Sequence, residues 1–404
     1  MTVFRVPGDL FRAPGEFRRA QSAIAALFCL LGFQYATWAA RLPALKTRLD
    51  MTEEELGLLL MACGAGAAAS FPLVAVLMRR LGSRRLACVS ALCLGALLPA
   101  LATVPNYPLA LLVICLDGVA VGCLNVAMNA QGATLEARFR RTAMSQLHAT
   151  FSAGSLAAAL LASGMNLVTS AVTAHFMAAT VLLLLLLAYA QPRLLTDEEP
   201  AKPREAKKQD RRSQLLLPSA LTLWMGCAMA FGTVTEGAMN DWSALYLKDV
   251  VKAPEHLVPM GIAVVSVVMV LARLMADSWR ERWGDALIVR LGSALAGTGL
   301  ALALLAGGVL PTLLGFACVG LGVAAVTPCV YVAAAARGPE ALALVAAMGT
   351  TGLLAGPALI GFVAGATSLV WGMAVVAACA LTVSLCATRI HWSRPTAEPV
   401  TATT

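Results

Sequence analysis

Apolar runs of bilayer-crossing length recur along these 404 residues, and no other feature restricts the fold so strongly. A helix needs about 20 predominantly apolar residues to cross the hydrocarbon core. Runs of that kind fall near 20–40, 55–78, 86–104, 108–133, 144–165 and 170–190. Six more fall near 215–247, 258–276, 286–306, 310–336, 343–364 and 369–389. Hydrophobic residues make up 59% of the chain and charged residues only 13%, against about 25% charged in a soluble domain. No soluble body hides so much apolar surface, so most of the chain must face lipid. The expectation is an all-α membrane protein of 12 transmembrane helices.

The charges then orient it. Arg79, Arg80, Arg84 and Arg85 follow the second span, and Arg138, Arg140 and Arg141 the fourth. Arg193 through Arg212 follow the sixth, Arg280 and Arg282 the eighth, and Arg337 the tenth. The turns after spans 3, 5, 9 and 11 carry no Lys or Arg. Basic loops mark the cytoplasmic side, so both termini are expected in the cytoplasm, and residues 1–19 read as a cytoplasmic tail before a retained first span. The net charge of +8 is therefore a topology signal and not a nucleic-acid footprint. The 11 Cys lie in apolar stretches with no C-x-x-C or Cys/His spacing. They read as small packing residues; no disulfide framework, metal site or cofactor is expected.

Residues 191–214 are polar and rich in Pro and charge, and separate two stretches of similar size. The expected organisation is a six-helix half over 1–190, a cytoplasmic linker over 191–214 and a second six-helix half over 215–404. The halves echo each other at an offset of about 202–204 residues. Thr37-Trp38-Ala39-Ala40 matches Asp241-Trp242-Ser243-Ala244, Arg80-Leu81-Gly82 matches Arg282-Trp283-Gly284, and Gly118 matches Gly320. Three pairs at nearly one offset suggest a duplicated unit. In transporters built from such repeats the site lies near the midplane, between the halves.

Six plus six spans, a central cytoplasmic loop and basic turns after spans 2 and 8 resemble the major facilitator superfamily. That family's turn after span 2 typically reads G-x-x-x-D-R-x-G-R-R/K. Here Arg80, Gly82 and Arg84 match, while Ala75 and Arg79 stand where the first Gly and the Asp are usual. An acid is kept in the second half, in Glu281-Arg282-Trp283-Gly284. The W-A-A-R-L-P motif from Trp38 to Pro43, with Gly118, Gly122, Asn125 and Asn129 in span 4, is similar to a fucose-permease-related bacterial branch. The resemblance implies a monomeric transporter of the bacterial inner membrane whose cavity is lined mainly by spans 1, 4, 7 and 10. It also shows a departure: sugar–proton members often carry a carboxylate where Asn125 stands.

Gln34, Trp38 and Arg41 share one helical face of span 1, and Arg41 offers a planar fork of donors for an anionic group or snorkels to the interface. Asn125 and Asn129 share a face of span 4 and must find partners in hydrocarbon, either substrate or a neighbouring helix. Asn240 and Trp242 in span 7, and Thr327 and Tyr331 around Pro328 in span 10, complete the expected substrate-binding set. Glu236 shares a face with Thr233, Asn240 and Ser243. A carboxylate inside a membrane is costly and points to function; the alternative is a fixed ion pair, for instance with Arg41. Asp117, Asp241 and His148 join Glu236 as expected proton-coupling groups. Asp117 either titrates or pairs with Arg41, and a lone helical His such as His148 is more often a packing residue.

The expected function is secondary active transport of a small polar organic solute by alternating access, coupled to protons in the uptake direction. Ser152-Ala-Gly-Ser155 lacks the Gly-Pro pair of the superfamily's exporter signature in span 5, which leans towards uptake; efflux by proton antiport is the alternative. A membrane-embedded enzyme lacks its motifs here, with no H-E-x-x-H and no P-loop. A solute sensor that does not transport is the remaining class.

Overall fold

The computed structural model describes residues 14–139, 141, 143–196 and 219–392. Residues 1–13 of the expected tail and 197–214 of the expected linker lie outside them, as does Arg140. The described helices are α1 (Pro14–Ala39), α2 (Leu42–Leu49), α3 (Glu53–Thr103), α4 (Tyr107–Phe139), α5 (Met144–Val168), α6 (Val172–Ala190) and α7 (Ala220–Asp249). They continue with α8 (Met260–Trp283), α9 (Asp285–Ala306), α10 (Val309–Val323), α11 (Val326–Ala335), α12 (Pro339–Ala366) and α13 (Leu369–Ala387).

Among the described residues, eleven stretches are long and apolar enough to cross a membrane. Helix α3 supplies two of them, Glu53–Val74 and Val76–Thr103, and α10 with α11 forms one, Val309–Ala335. Helix α7 stands outside that set although its 30 residues reach about 45 Å at 1.5 Å each. Its polar residues Thr233, Thr235, Glu236, Asn240 and Asp241 lower its apolarity. Counting α7, the crossings are the twelve expected.

Breaks in the helices follow their residues. Gly82 (φ 74°, ψ 171°) interrupts α3, and Gly284 (φ 77°, ψ 154°) separates α8 from α9. These two glycines are one of the pairs matched in the internal repeat, and both adopt a left-handed φ that a side chain would strain. The break between α10 and α11 falls at Ala324 and Ala325. Pro328 has no N–H for the carbonyl four residues back, which is that of Ala324. The start of α3 is fixed by a capping box: Thr52 N–H donates to Glu55 Oε2 (3.0 Å), and Glu55 N–H to Thr52 Oγ1 (3.2 Å).

The described residues form two compact units. One holds residues 14–38, 65–158 and 171–196, the other 39–64, 159–170 and 219–392. In the first, α1 and α5 meet through small residues: a Cβ on Gly32 would strike the Phe151 carbonyl, and one on Gly154 the Cys29 carbonyl. Backbones can approach this closely only where side chains are minimal. Ser155 Oγ then donates to Gly32 O (3.1 Å) and Thr150 Oγ1 to Ala25 O (3.0 Å). At the end of α4, buried Gln131 gives its Nε2 to Ser83 Oγ (2.7 Å) and Leu195 O (3.0 Å). Leu195 N–H returns a bond to Gln131 Oε1 (3.0 Å), which fastens the start of the expected linker.

In the second unit α7 packs on α12 and α13, along a stripe where Gly349 and Gly352 lie against Met229, Ala230 and Thr233. Thr233 Oγ1 donates to Gly349 O (2.8 Å), which satisfies a hydroxyl in the apolar seam. Short α2 also lies on α7. Its Lys46 Nζ meets Glu53 Oε1 at 2.8 Å and Asp249 Oδ2 at 3.1 Å, tying α2, α3 and α7 together. Burial pulls the Lys46 ammonium down, but the bonds and charges of the two acids outweigh it and hold it above its ordinary value.

A group raised in the folded state contributes stability that is complete below its unfolded pKa, near 10.4 for Lys, and fades as pH rises through the folded value. Lys46→Met is therefore expected to cost about 1 kcal/mol, because both acids are partly exposed and screened. Thermal unfolding in detergent would show the loss, constant between about pH 6 and pH 9. A loss that changes across that range would assign the effect to another group.

Candidate functional site

In the first unit the polar residues of α1 turn inward. Gln34 and Thr37 are fully buried and Trp38 is nearly so. Gln34 Nε2 donates to Asp117 Oδ1 on α4 at 2.7 Å, with Asp117 only 3% exposed. Asp117 Oδ2, Gln34 Oε1 and Trp38 Nε1 are buried with no hydrogen-bond partner among the described residues. Each such group costs about 1–3 kcal/mol when left unpaired, so the cluster is poised to accept a proton or a polar partner. Tyr35 packs edge-on to Trp38, ring centres 5.0 Å apart.

Further along α4, Asn125 is exposed and Asn129 half-buried. Asn129 Nδ2 donates to both the carbonyl (2.8 Å) and Oδ1 (2.7 Å) of Asn125. One carboxamide thus orders the other, one turn apart on the same face. His148 on α5 lies edge-on to Phe28 with centres 4.9 Å apart.

In the second unit Arg41 is buried and begins α2, its carbonyl accepting Leu45 N–H at 2.9 Å. Burial holds its guanidinium below the ordinary value, and the charge of Glu255 opposes that. Glu236 on α7 meets Arg273 on α8, Oε1 to NH2, at 2.8 Å. Each is about a quarter exposed. Asn240 Nδ2 donates to Glu236 O at 3.3 Å. Asp241, Trp242 and Ser243 are buried. Trp242 Nε1 and Ser243 Oγ have no hydrogen-bond partner among the described residues. Thr327 and Tyr331 are half-buried on α11, beyond the helix break.

The structure thus brings together Gln34 with Asp117, and Asn125 with Asn129. It gives Glu236 a partner in Arg273 rather than the Arg41 considered from the sequence. Arg273 was missed, although an Arg inside an apolar span is itself a functional signal. Glu236 and Asp117 therefore sit in opposite surroundings. Glu236 meets a guanidinium of opposite charge, whereas Asp117 meets a neutral carboxamide that cannot replace lost hydration.

Residues 23–341 match the family pattern described as Major Facilitator Superfamily. The chain belongs to that superfamily. It is a multi-pass membrane protein and a secondary transporter, not an enzyme. An uncharacterised transporter of Sinorhizobium fredii is 33% identical over 86% of this chain and 91% of its own length. An uncharacterised MFS-type transporter of Yersinia pestis is 31% identical over 92% of this chain and 95% of its own. Among solved structures, a point mutant of the nucleoside transporter NupG superposes with a TM-score of 0.72. It covers 92% of this chain and 99% of its own at 14% identity, a likeness of fold.

Proposed function

We propose that this superfamily member takes up a small polar organic solute across a bacterial inner membrane by alternating access, driven by protons. The observation that carries the proposal is the Asp117–Gln34 pair. A fully buried carboxyl whose bonded partner is neutral is stable when protonated. Exposure to water on one side favours release of that proton. Asp117 is thus the group we assign to proton coupling, with Glu236 next and Asp241 and His148 behind it.

Gln34, Trp38, Asn125 and Asn129 supply amide, indole and carboxamide groups in one unit. Arg41, Asn240, Trp242, Thr327 and Tyr331 supply cationic, aromatic and hydroxyl groups in the other. This chemistry suits a polar solute with hydroxyls, and an aromatic or anionic part. Sugars, nucleosides and small hydroxy acids are such solutes, and the structural neighbour NupG is a nucleoside transporter. The Trp38–Pro43 motif supports the fucose-permease-related branch, and the family's habit supports a monomer.

The test is solute-dependent proton movement in proteoliposomes of the full chain. A panel of sugars, nucleosides and small carboxylates is added outside while external pH is recorded. The expected result is alkalinisation by one chemical class, matched by uptake of the labelled solute. Uptake without proton movement would end the proton-coupling reading, and binding without flux would favour a sensor.

A further inference from the structure

The second unit carries a groove of about 320 Å³ between α8, α9 and the α10–α11 break. Trp279, Trp283, Leu287, Leu291 and Leu321 form its walls, and nearly all of its surface is apolar. Trp283, Leu287, Leu291 and Leu321 are exposed outward. In a membrane protein such a face meets lipid, and the transport residues named above are absent from it. The floor is set by the crossing of α9 and α10, where a Cβ on Gly292 or Gly322 would strike the other's backbone. The groove is therefore a fixed feature of the packing and not a gap between mobile side chains.

Its rim is charged unevenly. Trp279 and Trp283 are one turn apart on α8, ring centres 6.2 Å apart. At 100° per residue, Glu281 points to the opposite side of α8 from this pair, while Arg280 and Arg282 flank it. Arg280 is balanced by a two-pronged pair with Asp285, at 2.8 and 3.2 Å. Arg282 is exposed and holds its guanidinium over the Trp283 ring, 5.8 Å from its centre. These arginines lie at the basic end of the span, which the charge rule assigns to the cytoplasmic leaflet. An apolar channel under interfacial indoles, with net positive charge at its mouth, matches a lipid tail joined to a negative headgroup.

We propose that this groove holds an acyl chain of an anionic phospholipid of the cytoplasmic leaflet, its phosphate bound by Arg282. The site lies outside the transport residues and gives the protein a lipid-recognising surface on its second unit.

The test uses full-length protein in detergent, offered phosphatidylglycerol or phosphatidylcholine of the same chains and analysed by native mass spectrometry. Phosphatidylglycerol is expected to be retained preferentially, and Arg282→Gln to reduce the preference about fivefold, the effect of one cation near an anionic lipid. Inorganic phosphate is expected not to displace the lipid, because the chain supplies much of the binding. Tail-brominated phosphatidylglycerol is expected to quench the emission that Trp279→Phe/Trp283→Phe removes. Equal retention of both lipids by the wild type would overturn the proposal. So would an unchanged preference in Arg282→Gln that remains monodisperse, displacement by phosphate alone, or quenching that the Trp variant leaves intact.

Discussion

Asp117→Asn is expected to turn concentrative uptake into mere equilibration of solute across the membrane. One proton falling through about 100 mV supplies about 2.3 kcal/mol. Coupled one to one, that energy sustains an accumulation of about fiftyfold, since each 1.4 kcal/mol is a factor of ten. Asparagine keeps the size of the side chain and an acceptor for Gln34 Nε2, whose bond to Oδ1 is 2.7 Å in the wild type. It carries no titratable proton. The fold and the solute site should survive, so exchange of labelled for unlabelled solute continues while the gradient-driven ratio falls to about one. Proteoliposomes with an imposed proton gradient would measure both. If Asp117→Asn still accumulates solute manyfold, Asp117 is a buried structural acid and the coupling group is elsewhere. Loss of exchange as well would mean that the pair shapes the solute site itself.

How far the sequence revealed this arrangement depends on the kind of interaction. The spans were legible because burial in lipid acts on every residue of a helix, and the sum survives local exceptions. Span 7 was read as well, over 215–247, although α7 carries Glu236 and Asp241. The repeat was legible at Gly82 and Gly284 because a backbone with φ of 74° and 77° admits few residues other than glycine. Partners were not legible. Helical periodicity says that Gln34 lies on the face of Trp38, but not that Asp117, 83 residues away, meets it. Nor does it say which of two arginines reaches Glu236. That choice is made by the packing of α7 against α8, and Arg273 lies within an apolar run whose period marks no partner. Residues 39–64 group with 219–392 for the same reason: Lys46 is joined to Asp249 by tertiary contact alone.

The Glu236–Arg273 pair gives the second large effect, and it separates a structural ion pair from a proton-coupling one. Arg273→Met removes the countercharge that Glu236 meets in the membrane, and Glu236→Gln removes the carboxylate that Arg273 meets at 2.8 Å. Breaking a fully buried pair costs about 3–5 kcal/mol. These side chains are 26% and 27% exposed, so about 2 kcal/mol for each single change is the discounted expectation. The double change Glu236→Gln/Arg273→Met removes both charges and is expected to be more stable than either single variant. Replacing such a pair by neutral groups leaves no uncompensated ion. Thermal unfolding of the four proteins forms a double-mutant cycle, in which a coupling energy near zero would mean that the contact contributes nothing. Transport then decides the role. If the double variant regains proton-driven accumulation along with its stability, the pair is structural, and coupling rests on Asp117. If it regains stability and exchange but not accumulation, Glu236 also takes part in coupling.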